Sequence, residues 1–467
     1  MKDVKNWDSA KEGADHFCSS NTHRSLASGI GERQRSSRFD KEKMKDVLEK
    51  LIRRLFFLLG MPGVFFGLTE VQAENWSNWM GPRYDGSTGG FELNVPGKNQ
   101  EFKLRWEIPA GAGWSSPLIF DGSVYFHDRV GEKEFVHRLD ALTGKEKWNR
   151  SFISGYRDDF GMSNGPRSTP AIAGGTIVTH GPDGMVRAIS IGDGTVIWTR
   201  DLKKDFSSPK GFFGRCSSPL IVGGQVILDV GGSKVGLVSF SLLSGETKWT
   251  STPYGNDYAS PVPFVSNGDA HVLSFMREGF LALEMENGSQ RFFDTFRSPI
   301  DASVNAASPL VVGNRVFLSS CYEVGAGLWE YQKSPAGKGT FIPIWQKKEV
   351  LDCHYSTPIA HDGYLFGFHG RQERGPVLRC VRLADGLVKW EKTSLGSGNL
   401  VRMGDSILTL NDRGELIVFS ADSASFKPLH RQQILGTGGR SHFAVSSGLL
   451  VARDKRRLVC LELSVVP

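Results

Sequence analysis

Nine side chains suited to holding a polar ligand recur near one point of a repeated segment: Trp114, Arg167, Arg215, Asp257, Tyr258, Asn305, His354, Arg440 and His442. Most stand just ahead of a small polar pair that ends in proline. Trp114 precedes Ser115, Ser116 and Pro117, and Arg167 precedes Ser168, Thr169 and Pro170. Three arginines and two histidines around one opening suit an anionic or polyhydroxy ligand, because a guanidinium forks two N–H bonds onto a carboxylate. Arg167, in Gly165-Pro166-Arg167, is the position with the strongest claim. The plain alternative is that these side chains hydrogen-bond neighbouring loops and fill a polar concavity. Hydrolytic, metalloprotease and phosphate-cradling patterns (G-x-S-x-G, H-E-x-x-H, the P-loop) do not occur in the chain. Cys353 and His354 adjoin, yet no second pair stands at metal-ligand spacing.

The elements that must position these residues follow from periodicity. The Ser/Ala-Ser/Thr-Pro motif, followed by an apolar run and a glycine turn, anchors at Pro117, Pro170, Pro219, Pro261, Pro309 and Pro358. Degenerate copies anchor near Leu400 and Ala444. The intervals lie between 42 and 53 residues. That period, with several short β-rich runs in each interval, is what a four-stranded propeller blade requires. A second motif closes the repeats: a turn glycine with an aromatic four positions on, as in Gly144 to Trp148, Gly194 to Trp198, Gly245 to Trp249 and Gly386 to Trp390. Weaker versions run from Gly288 to Phe292 and from Asp422 to Phe426, and the stretched fifth copy ends in Trp345. Glycine supplies the positive φ of the turn between third and fourth strands, and the aromatic covers the joint with the neighbouring blade.

The eighth copy stops after its third strand, at Arg457–Leu463, and an orphan fourth strand stands before the first copy, at Phe102–Ile108 with Trp106. The sequence therefore predicts an all-β fold: an eight-bladed β-propeller with four-stranded antiparallel blades, its ring closed by an N-terminal strand that completes the last blade. Closure removes the free sheet edges that invite aggregation.

These repeats, above all Leu139-Asp-Ala-Leu-Thr-Gly-Lys-Glu-Lys-Trp148, resemble the PQQ-binding-like (quinoprotein-like) propeller family. That family includes quinoprotein alcohol dehydrogenases and the lipoprotein scaffold of the outer-membrane β-barrel assembly machinery. The resemblance spans about residues 100–463 and is specific for fold rather than function. An active quinoprotein, by this resemblance, holds calcium through a Glu and an Asn beside PQQ, uses an Asp as base, and often carries a disulfide between adjacent cysteines. Here no two cysteines adjoin, glutamate is missing from the funnel-mouth positions, and Asp257 and Asn305 are the two candidates for cation ligands. The expectation is thus a non-catalytic binding or scaffolding module for a protein partner or a polar, anionic ligand, with no cofactor. A PQQ- and calcium-binding oxidoreductase is the second reading, and a ligand-free envelope scaffold the third.

Four segments are expected: a disordered leader or mis-called start at 1–43, with Met44 as the alternative first residue, a signal peptide at 44–73, a strap at 74–99 that packs Trp76 and Trp79 on the propeller, and the propeller at 100–467. The signal rests on basic Lys50, Arg53 and Arg54, an apolar stretch of about 14 residues, and a cleavage site at Val71-Gln72-Ala73. The stretch is too short and too broken by Gly and Pro to span a membrane stably, so the product is expected to be periplasmic or secreted. Residues beyond Ala73 hold 43 Lys and Arg against 40 Asp and Glu, and this near balance excludes a nucleic-acid binder. Five cysteines follow Ala73, an odd number that leaves a thiol free after any pairing. Cys380 and Cys460 share one repeat position and read as packed core thiols. The segment 332–340 reads as a solvated hairpin tip.

Overall fold

The computed structural model describes residues 74–335, 337 and 339–466, so the expected leader and signal at 1–73 lie outside the described residues. Eight four-stranded antiparallel sheets follow one another around a ring. Blades 1 to 7 occupy residues 118–153, 171–201, 220–250, 262–295, 310–347, 359–392 and 398–433. Blade 8 takes three strands from residues 444–462 and its outer strand from Lys103–Pro109, which pairs antiparallel with Arg457–Glu462 and sets Trp106 opposite Cys460. No helix among the described residues is long and apolar enough to cross a membrane.

The proline motif marks where each innermost strand begins. Leu118, Ala171, Leu220, Val262, Leu310 and Ile359 each open or directly precede that strand at the residue after proline. Proline lacks an N–H and so suits the first position of an edge strand. The residue before it carries a hydroxyl with a defined task. Ser116 N donates to Thr169 Oγ1 (3.1 Å), Thr169 N to Ser218 Oγ (2.9 Å), Ser218 N to Ser260 Oγ (2.9 Å), Ser260 N to Ser308 Oγ (3.1 Å) and Ser308 N to Thr357 Oγ1 (2.9 Å). The repeated small polar residue is thus a hydrogen-bond belt that ties blades 1 to 6 together at the channel wall. It satisfies buried amides that the innermost strand, having no inner neighbour, would leave open.

The closing aromatics form the outer joint. Each indole lies on the turn glycine of the next blade: Trp106 on Gly144, Trp148 on Gly194, Trp198 on Gly245, Trp249 on Gly288 and Trp345 on Gly386. At Gly144 and Gly245 φ is about +70°, and a Cβ there would come within 3.0 Å of the ring, so glycine is needed for both conformation and room. Most of these indoles also donate Nε1–H to a carbonyl beyond the joint, as Trp106 does to Ala141 (2.9 Å) and Trp198 to Leu242 (2.8 Å). Blade 7 departs from the expected pattern. Register puts His430, not Phe426, opposite Val418 at the closing position, and His430 meets Phe102 edge-on at 5.1 Å. Phe426 instead lies in the turn that receives Trp390, at 5.9 Å.

The strap does more than cover the propeller. Trp76 pairs with Ile119 of the blade 1 inner strand, Ile172 N donates to Ser77 O, and Trp79 Nε1 donates to Ser308 Oγ in the belt. The chain then turns back, with Gly86 O accepting from Arg402 N of blade 7 and Glu92–Leu93 pairing with Val465–Val466. It is a re-entrant plug lodged among the inner strands. All five described cysteines are free, and Cys380 and Cys460 are fully buried opposite Trp390 and Trp106. Gly325–Lys333 and Gly339–Lys347 pair antiparallel, so the expected hairpin tip falls between them, with residues 336 and 338 outside the described residues.

Two substitutions test the joints by denaturant unfolding. Trp106→Ala should destabilise the ring by ~3–5 kcal/mol through the void at the closing joint. Ser218→Ala, which orphans the Thr169 amide, should cost about 1–3 kcal/mol. Loss of less than half a kcal/mol in either would remove that contact from the account.

Candidate functional site

On the face where the inner strands begin, the plug stops short and leaves a cavity of about 220 Å³ floored by Trp79. Five of the nine sequence candidates line it: Trp114, Arg167, Tyr258, His354 and Arg440, together with Cys216. Trp114 is the centre of a cationic cluster. The Arg167 guanidinium lies 5.0 Å from its ring centroid, the Arg440 guanidinium 4.8 Å and the Lys455 ammonium 5.3 Å. Arg167 is fixed by Phe213 O (2.8 Å) and faces Asp158 at 3.4 Å. Arg440 and Lys455 make no ion pair among the described residues.

His354 Nε2 lies 2.9 Å from the Tyr322 hydroxyl, and burial, with Arg371 and Arg440 nearby, drives its pKa down to about 4. It stands as a neutral imidazole near neutral pH. Burial pushes the Cys216 thiol up to about 12 and Tyr355 likewise to about 12, so neither is poised as a nucleophile or base.

The other four candidates are turned away from this cavity. Arg215 is buried against Ser208 and opens on a separate cleft beside Tyr156 and Asp183. Asp257 accepts no cation but the Arg277 guanidinium at 3.5 Å, and burial raises its carboxyl to about 7. Asn305 spends its amide on Met276 O (2.9 Å), inside the blade 4–5 joint. His442 sits in the channel, stacked on Trp76 at 5.9 Å and edge-on to Trp79 at 5.5 Å. Register draws the line: each residue three before a motif proline, Trp114, Arg167, Cys216, Tyr258, Ala306 and Tyr355, lines the cavity, whereas Arg215, Asp257 and Asn305, four before, do not, and His354 at that earlier position does.

The cavity also holds residues that the motif did not flag: Met162, Phe213, Tyr322, Arg371 and Glu373. Tyr322, Arg371 and Glu373 belong to the loops between second and third strands of blades 5 and 6. In a four-stranded meander those loops return to the same face as the inner-strand connectors, so strand counting could have found them. Glu373 is the one carboxylate in the lining and pairs with Arg371 at 3.5 Å.

This donor set does not fit calcium with PQQ. Asp257, one candidate ligand, is engaged by the Arg277 guanidinium and the Asn305 backbone N–H, the Asn305 side chain is engaged by Met276 O, and no group of three or more His, Cys, Asp or Glu able to hold a metal ion occurs among the described residues. A hard cation wants six to eight oxygens around one point.

Fold and repeats together define a PQQ-like propeller. Residues 100–292 and 159–392 match the family model described as outer membrane protein assembly factor BamB, and the chain belongs to that family. It is 24% identical over 250 residues to the outer membrane protein assembly factor BamB of Yersinia pestis, covering 51% of this chain and 55% of that protein. It is 27% identical over 191 residues to the BamB of Burkholderia pseudomallei strain K96243, covering 39% and 43%. The chain thus aligns with about half the length of these curated relatives. Among solved structures, BamB from Moraxella catarrhalis superposes with a TM-score of 0.56 at 15% identity, over 78% of this chain and 98% of that one. A europium-containing methanol dehydrogenase superposes with a TM-score of 0.60 at 11% identity, over 83% and 89%. At such identities the structural matches establish the fold alone.

Burial holds His442 well below an ordinary imidazole, at about 4. The unfolded chain, with a normal pKa near 6.5, binds the extra proton first, so His442 favours the fold above pH 6.5 and that advantage is lost as pH falls toward 4. Between pH 7 and pH 5 this residue should cost about 2 kcal/mol of stability. His442→Phe should flatten the pH profile by that amount in urea titrations; an unchanged slope would show that the ring is protonated freely in the fold.

Proposed function

We propose that this protein is an exported, non-catalytic propeller scaffold that engages a protein partner through its funnel face, in the assembly of outer-membrane proteins. The observation that carries the reading is the cavity itself: concave, rimmed by aromatic and cationic side chains, and lacking the carboxylate cluster that redox chemistry beside a hard cation needs. The family match supports the same direction, since the curated relatives are named as outer membrane protein assembly factors. Residues 44–73 as a cleaved signal, a preceding leader and a strap at 74–99 complete the reading, which places the working part outside the cytoplasm.

The oxidoreductase alternative rests on the shared propeller with quinoprotein dehydrogenases. Calorimetric titration of PQQ with calcium separates the two. No calcium-dependent saturable heat is expected. Saturable, calcium-dependent binding would overturn the non-catalytic reading. Photo-crosslinking locates the partner surface: a photoreactive group at Phe212 on the funnel rim should give a protein adduct in expressing cells, and one at Leu243, in a turn between third and fourth strands, should not. Adducts at Leu243 alone would move the working surface to another face.

A further inference from the structure

The cavity is short of acceptors. Trp114, about nine-tenths buried, has an Nε1–H with no hydrogen-bond partner. The guanidinium of Arg440 and the ammonium of Lys455 stack on the same indole without an acidic partner. Three arginines line the space; Arg167 faces Asp158 and Arg371 faces Glu373, which leaves the Arg440 guanidinium without an ion pair among the described residues. Buried donors left unpaired cost stability, and a site that keeps them is complementary to a group that only accepts. A carboxylate is such a group, and it fits the fork of an arginine.

The cavity does not end at its own wall. Phe213, which lines it, touches Phe160 at 5.2 Å, and Phe160 touches Phe212 at 6.4 Å. Phe160 is 57% exposed and Phe212 45% exposed, on the connectors that lead into blades 2 and 3. An aromatic lip thus continues from the cationic cavity onto the surface. The cavity, at about 220 Å³, is smaller than the ~300–1,000 Å³ of typical small-molecule sites. A chain that is longer than the cavity uses both parts.

We infer that the funnel captures an extended, acidic peptide segment of the partner: one carboxylate enters between Arg167, Arg440 and the Trp114 indole N–H, and a neighbouring apolar side chain lies on Phe160 and Phe212. This rests on the scaffold reading above and supplies the chemistry of its partner. Free small carboxylates share the first contact but not the second.

The test uses the full chain and a labelled, doubly capped peptide carrying aspartate flanked by phenylalanine, read by fluorescence anisotropy. The peptide should bind saturably, and its asparagine counterpart should bind about tenfold more weakly or worse. Arg440→Gln and Phe160→Ala should each weaken binding by about fivefold or more while leaving the thermal midpoint unchanged. Equal affinity for the two peptides overturns the proposal. So does displacement by citrate combined with an affinity indifferent to Phe160→Ala, which would make the occupant a small carboxylate. Failure of the peptide to bind while Phe212 still crosslinks to a partner sinks this inference and spares the scaffold; loss of both removes both.

Discussion

Everything in this molecule depends on one contact made between the two ends of the propeller: the indole of Trp106 on the turn at Gly144. Blades 1 to 8 are ordered along the chain, and seven joints form between neighbours in sequence. The eighth joint has to be made by a strand that lies before the first blade. Trp106 repeats the geometry of Trp148 and Trp198, down to an Nε1–H bond to a carbonyl across the joint, so the closing joint is built like those within the chain. A ring is only as rigid as its weakest joint, and a rigid ring is what lets loops from distant blades hold Arg167, His354 and Arg440 around one cavity.

The belt and the plug act on the channel side of that ring. Each hydroxyl in the belt accepts the amide of the preceding blade, so a change at one blade is felt at the next. The belt lapses at the degenerate copies, blades 7 and 8, and there the strap takes over: Arg402 N bonds to Gly86 O, and Ser446 Oγ donates to Glu74 O. Irregular inner strands and an irregular strap satisfy one another. The plug also sets the depth of the site, because Trp79, tied to Ser308 of the belt, is its floor.

Much of this was legible in the chain. Pro117 through Pro358 marked inner strands, Gly144 and Trp148 marked the hairpin and joint, and the orphan strand around Trp106 dictated closure. What the choice of polar residues overlooked was one step of register. Asp257 and Asn305 stand four residues before Pro261 and Pro309, one position earlier than Arg167, which stands three before Pro170, and their polar groups are consumed by Arg277 and Met276 O. The residues three before a motif proline, from Trp114 through Cys216 and Tyr258 to Tyr355, all line the cavity, so one step of register separates the cavity wall from the joints that hold Asp257 and Asn305. Phe426 failed for a related reason. A spacing of four from a turn residue is preserved only while the turn keeps its length, and in blade 7 the longer turn moved the closing position to His430.

The surplus of donors at the funnel follows from the same architecture. In each meander the inner-strand connectors and the loops between second and third strands face one way, so their side chains share one solvent boundary. Filling that boundary with arginines rather than with self-satisfied polar pairs leaves Trp114 Nε1–H without a partner. Arg440 and Lys455, which make no ion pair among the described residues, lie against the Trp114 ring, where its quadrupole stabilises them by roughly 0.5–2 kcal/mol without neutralising them. An arginine paired with a carboxylate is spent; an arginine stacked on an indole still has its full fork of N–H groups to offer. Stacking on Trp114 therefore preorganises charge for an incoming acceptor, and the rigidity for doing so comes from a ring whose last joint is Trp106.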